Sequence, residues 1–80
     1  MARKRRLTLN RAVDLFAKAM KDKLREKRLE GRCGWNNPRF RASICQGMIE
    51  HAVRVCMGDD DQAVDVANYA MMLFSLSVKA

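Results

Sequence analysis

Apolar residues recur at spacings of three and four in three separate stretches of this chain. Nowhere do they alternate with period two for long enough to make a strand. In the first stretch Val13, Phe16, Ala17, Met20 and Leu24 fall on one side of a helix predicted over residues 10–30. Thr8 or Asn10 is its N-cap and Gly31 its stop. Arg11, Lys18, Lys21, Arg25 and Arg28 lie opposite the apolar stripe, with Asp14 one turn before Lys18. Beyond Leu24 the helix is mostly charged, which predicts that its last two turns project from the core.

The second stretch predicts a helix over residues 38–57, ended by Gly58. Asn37 caps it and Pro38 takes the first helical position, where a missing N–H costs nothing. Phe40, Ile44, Cys45, Met48, Ile49, Ala52 and Cys56 are its expected inner side. Gly47 is unfavourable inside a helix unless another backbone comes close. The third helix starts at Asp59, Asp60 or Asp61, where acids suit the positive end of the helix dipole, and is predicted to reach residue 78. Val64, Ala67, Met71 and Phe74 form one stripe on it; Val66, Tyr69, Ala70, Leu73 and Leu76 form another. A helix apolar on two sides is buried on both. An 80-residue chain has two other helices to cover it, so the expected fold is an all-α three-helix unit completed by homodimerisation through helix 3. Residues 1–9 read as a basic tail and 10–80 as one helical domain.

Charge changes the picture by being lopsided. Residues 1–32 hold 12 Lys and Arg against 4 acids, and residues 33–80 hold 4 against 5, so +8 and −1 make the overall +7. That asymmetry suggests an anionic partner, either nucleic acid or an acidic protein surface. The plainer reading is a solvated tail and helix face. Arg3, Lys4, Arg5, Arg6, Lys18, Lys21, Arg25 and Arg28 are the candidate contacts. Trp35, the sole tryptophan, is either a lid over the end of the helices or a stacking surface for a base or partner residue. Three cysteines without a Cys-x-x-Cys pair make neither a disulfide framework nor a zinc site, and fit a reducing cytoplasm. Cys45 and Cys56, about three helical turns apart, are expected to face the core together. The longest apolar-rich run is broken by Asp65, Asn68 and two serines and does not suit a bilayer, and the Arg-rich start lacks the apolar core of a secretory signal.

Candidate chemistry is concentrated in helix 3. Asp61, Asp65 and Asn68 share one face at spacings of four and three, so something must face that polar stripe. Glu50 and His51 are the central polar residues of helix 2, and the lone His51 reads first as a hydrogen-bonded structural group. The pattern Phe16-x-x-x-Met20-x-x-x-Leu24, then Gly34-Trp35, then Asp65-Val-Ala-Asn-Tyr-Ala-Met-Met-Leu73 resembles small phage-type MazG-like proteins, among the all-α nucleoside triphosphate pyrophosphohydrolases. The resemblance spans roughly residues 13–76 and is most specific in its last run. It implies two carboxylate pairs, Glu-x-x-Glu and Glu-x-x-Asp, holding magnesium against substrate phosphates. Here those positions are Gly47 with Glu50 and Gln62 with Asp65, so two of the four acids are absent. Any residual metal site would draw on Glu50, Asp61 and Asp65. The expected function is a non-catalytic MazG-like binding or regulatory module whose basic N-terminal third engages nucleic acid or a nucleoprotein complex, with no cofactor. The alternatives are a magnesium-dependent pyrophosphohydrolase and a phage-encoded inhibitor of a host protein complex, acting in the host cytoplasm.

Overall fold

The computed structural model describes residues 7–29 and 35–78, all of them helix or short connection: α1 (Leu9–Leu29), a 3-10 turn (Pro38–Phe40), α2 (Arg41–Cys56) and α3 (Gln62–Ser77). The fold is all-α. No described residue lies in a strand, and no helix among the described residues is long and apolar enough to cross a membrane. Arg3, Lys4, Arg5, Arg6, Cys33, the Gly31 stop and Gly34 fall outside the described residues.

Each helix end is set by local chemistry. Thr8 Oγ1 accepts from the Arg11 N–H at 3.1 Å, so Thr8, not Asn10, caps α1. Asn37 Oδ1 accepts from the Arg39 N–H at 3.0 Å and Pro38 follows it, so the second helical stretch begins where expected, with a 3-10 turn leading into α2. α2 ends on Gly58 at φ 106°, a left-handed conformation natural to glycine. There the Asp59 N–H bonds Arg54 O at 3.0 Å and the Gly58 N–H bonds Val55 O at 2.9 Å, a Schellman closure that satisfies the last carbonyls. α3 opens without a side-chain cap; the Gln62 N–H bonds Asp59 O at 3.1 Å instead.

The tight turn after Gly58 folds α3 back along α2, and α3 also packs against α1. α3 is therefore the central helix. This changes the argument for a dimer. α3 contacts both α2 and α1 of the same chain, and along the helix only Ala70, Phe74 and Ser77 are exposed. Apart from Phe74, the large exposed apolar side chains of the three helices lie on α1 and α2.

On α2, Ile44 is buried at 6% exposure, but Ile49, Val53 and Met57 form an outward stripe, with Met57 83% exposed. Phe40, Ile49 and Cys56, expected inside, are exposed, and Cys56 does not join the half-buried Cys45. The reason is that α2 is apolar over more than half its circumference and α3 covers one side of it. On α1 the expectation is reversed. The charged second half runs beside α3, with Lys23, Leu24 and Lys27 half-buried, while Leu9, Val13, Leu15 and Phe16 of the first half stand exposed. The contacts to α3 that can be named fall at Met20, whose carbonyl accepts from Asn68, and along residues 21–28. Among the described residues only Ile44 and Asn68 are buried, a thin core even for a small domain.

Candidate functional site

The second half of α1, Trp35 and the middle of α3 enclose a groove of about 440 Å³. Its α1 wall carries Lys21, Lys23, Arg25, Lys27 and Arg28 around Leu24, five cations on little more than two turns. Its α3 wall carries Asp65, Asn68, Tyr69, Met71 and Met72. Trp35 stands at the rim, 43% exposed. A helix supplies such a wall because residues at spacings of three and four stack along one side, and long Lys and Arg stems cover apolar surface while their heads reach water.

The structure brings together Lys21, Arg25, Arg28 and Trp35 from the sequence candidates. It leaves Lys18 apart. Lys18 Nζ donates to Asp22 Oδ2 at 2.9 Å, one turn after it, so its partner is Asp22 and not Asp14. That hydrogen bond, then the Lys18 charge, lowers the Asp22 carboxyl below its usual value. Both groups are well exposed, so the pair contributes little to stability. Lys23 and Lys27 are groove residues that sequence reasoning passed over. They flank the apolar stripe at Leu24, on the side taken as core, and a cation bordering a stripe is the signal that could have marked them.

The polar stripe of helix 3 divides its attention. Asp61 is exposed at the entrance of α3. Asn68, only 4% exposed, donates from Nδ2 to Met20 O of α1 at 3.3 Å, and its Oδ1 is buried without a hydrogen-bond partner. Asp65 Oδ2 stands 3.8 Å from His51 Nδ1 of α2. The same Nδ1 bonds Gln62 Oε1, which requires a proton on that nitrogen. The His51 ring lies 5.4 Å from the Tyr69 ring at 33°. His51 is thus hydrogen-bonded across the helices, tying α2 to the first turns of α3.

Gly47 explains itself in the same place. A Cβ there would stand 2.7 Å from Tyr69 Cζ, so the close neighbour is a side-chain ring rather than a backbone. These contacts decide how well the site suits magnesium. Tyr69 fills the space beside position 47, Gln62 is turned to His51, and Glu50 is exposed and accepts from Gln46 Nε2 at 3.3 Å. Among the described residues no three His, Cys, Asp or Glu side chains converge as metal ligands need to. Glu50, Asp61 and Asp65 do not converge as one such group.

No protein-family model matches this chain, and no curated protein or solved structure matches it either. The geometry therefore carries the functional argument alone.

Proposed function

We propose that this chain is a non-catalytic, MazG-like module that engages nucleic acid, alone or within a nucleoprotein complex, through the cationic wall of α1 and the basic residues before it. The supporting observation is the groove: five Lys and Arg on one wall, with an exposed tryptophan at the rim. Phosphate oxygens meet such a wall through charge-assisted hydrogen bonds, and released counterions supply much of the affinity. The non-catalytic part of the reading rests on the packing of Tyr69 against Gly47 and of His51 against Gln62, which leaves no paired carboxylates at the positions the resemblance assigns to magnesium. The reading places the protein in a reducing cytoplasm, that of the host if it is phage-encoded.

Binding of a labelled DNA or RNA fragment at low salt tests this. Arg25→Glu combined with Arg28→Glu is expected to weaken binding and to reduce the slope of log K against log salt by about two, one for each phosphate contact removed. Deleting residues 2–6 is expected to weaken binding without unfolding the domain, because the deletion ends before the Thr8 cap. Wild-type protein that binds no nucleic acid even at low salt would shift the partner to an acidic protein surface and favour an inhibitor of a protein complex. Magnesium-dependent hydrolysis of a nucleoside triphosphate, lost in Asp65→Asn, would restore the enzyme.

The exposed apolar stripes favour self-association as part of the same reading. Ile49, Val53 and Met57 on α2, Phe74 on α3, and Leu9, Val13 and Phe16 on α1 all stand in water in a single chain. Burying each such side chain contributes about 1.5–3 kcal/mol, enough for a second copy to be held. The dimer surface we assign includes the outer face of α2 and not α3 alone. Light scattering is expected to give a dimer at micromolar concentration, and Ile49→Glu with Val53→Glu to give a monomer. A strict monomer in the wild type at high concentration would remove this part of the proposal.

A further inference from the structure

We infer that the groove between α1 and α3 seats one unpaired base of a single-stranded nucleic acid, with the strand's phosphates along the α1 wall. The inference rests on the nucleic-acid reading above and narrows it from phosphate contact to recognition of a strand whose bases are free. Two independent observations carry it.

The first is that the groove's charge is divided between its walls. Lys21, Arg25 and Arg28 belong to α1, while the charged group on the α3 wall is the acid Asp65. A phosphate is drawn to the first wall and repelled by the second. The base it carries is then directed across the groove toward Tyr69 and the methionines, with Trp35 at the rim to stack on. At about 440 Å³ the groove is within the range of sites that take a small ligand, whereas a base pair held in a double helix cannot enter it.

The second observation is Asn68. It lines the groove at 4% exposure, commits Nδ2 to Met20 O, and keeps a buried Oδ1 with no donor. Buried acceptors are nearly always paired, and one that is not asks for a partner. Every nucleobase offers an N–H: the amino groups of adenine, cytosine and guanine, and the ring N3–H of thymine and uracil. An acceptor with that choice holds a base without strongly preferring one, so sequence preference is expected to be weak.

Trp35 is the sole tryptophan, and its fluorescence reports on the groove directly. The full chain is titrated against a dye-labelled short mixed-sequence single strand, and against the same strand annealed to its complement, with affinity read from the anisotropy of the dye so that variants lacking Trp35 are measured in the same way. The expected result is quenching by the single strand, with affinity at least fivefold above that for the duplex. Trp35→Ala is expected to weaken single-strand binding by about 5- to 150-fold, the cost of one lost stack, and so to reduce the preference for the single strand over the duplex. Trp35→Phe is expected to recover most of the loss. Equal affinity for the two forms, or single-strand binding untouched by Trp35→Ala, would overturn the inference while leaving a module that holds phosphates alone. Binding of neither form would overturn both the inference and the reading beneath it.

Discussion

Gly47→Ala is expected to destabilise the protein, although the same substitution in an unobstructed helix would stabilise it. Replacing glycine by alanine inside a helix is favourable by about 1 kcal/mol, because glycine loses more backbone freedom on folding. Here the new methyl would stand 2.7 Å from Tyr69 Cζ and 3.0 Å from both Tyr69 Cε1 and Oη. The ring also lies beside His51, with centroids 5.4 Å apart, and His51 is held by Gln62, so displacing the ring disturbs the joint between α2 and α3. Overpacking of this kind costs about 1–3 kcal/mol, which exceeds the gain. We expect a net loss of about 1 kcal/mol in urea unfolding, or roughly 4–8 °C in Tm for a domain of this size. In a Tyr69→Leu background the sign should reverse, because the obstruction is gone and the helix preference remains. A Gly47→Ala protein more stable than the wild type would show that Tyr69 does not fill this space. The same contact bears on function, because a residue long enough to present a carboxylate at position 47 must first displace the ring.

Asn68→Leu is expected to raise stability and lower nucleic-acid affinity. Asn68 gains one hydrogen bond, to a carbonyl in the middle of α1 that the helix already employs in its own ladder. Such a bond contributes about 0.5–1.5 kcal/mol, while a buried acceptor left unpaired costs about 1–3 kcal/mol. Leucine has the same number of side-chain heavy atoms with the same branching, although its methyl groups take more room, and it removes the unpaired oxygen and adds apolar contact between α1 and α3. We expect a gain of about 1 kcal/mol, again several degrees in Tm. Raised stability together with weakened binding would assign Asn68 to binding, the trade between stability and function. Lower stability together with unchanged binding would assign Asn68 a purely structural role.

What could be read from the sequence, and what could not, divides along a physical line. Helix ends are local. Thr8, the Asn37–Pro38 pair and Gly58 each act on backbone groups within five residues, and each is where its chemistry puts it. Periodicity shows that a helix has an apolar side but not which neighbour covers it. On α2, Ile44 and Ile49 belong to adjacent stripes of similar character, and docking of α3 buried the first and left the second out. On α1 the first-half stripe at Val13 and Phe16 has the pattern of a core face and is exposed, while Met20 and Leu24 farther along the same stripe are half-buried beside α3. Within the site, Lys21, Arg25, Arg28 and Trp35 could be marked from charge and from the rarity of tryptophan. Lys23 and Lys27 border the apolar stripe, a signal that could have marked them but does not say what they face. The pairing of Asn68 with Met20, 48 residues apart, and of Tyr69 with Gly47 depends on tertiary contact that no local pattern encodes. Gly47 signalled a close approach, but not that an aromatic ring would make it.

The most direct measurement of the central claim is a nuclear magnetic resonance titration of isotope-labelled protein, a 9.2 kDa chain well suited to the method, with a short single strand at low salt. Binding through the cationic groove is expected to shift the amides of residues 21–28 and 65–72 together with the Trp35 indole, and to leave the outer stripe at Ile49, Val53 and Met57 in place. Shifts confined to that α2 stripe, or spread evenly over the exposed surface, would contradict it.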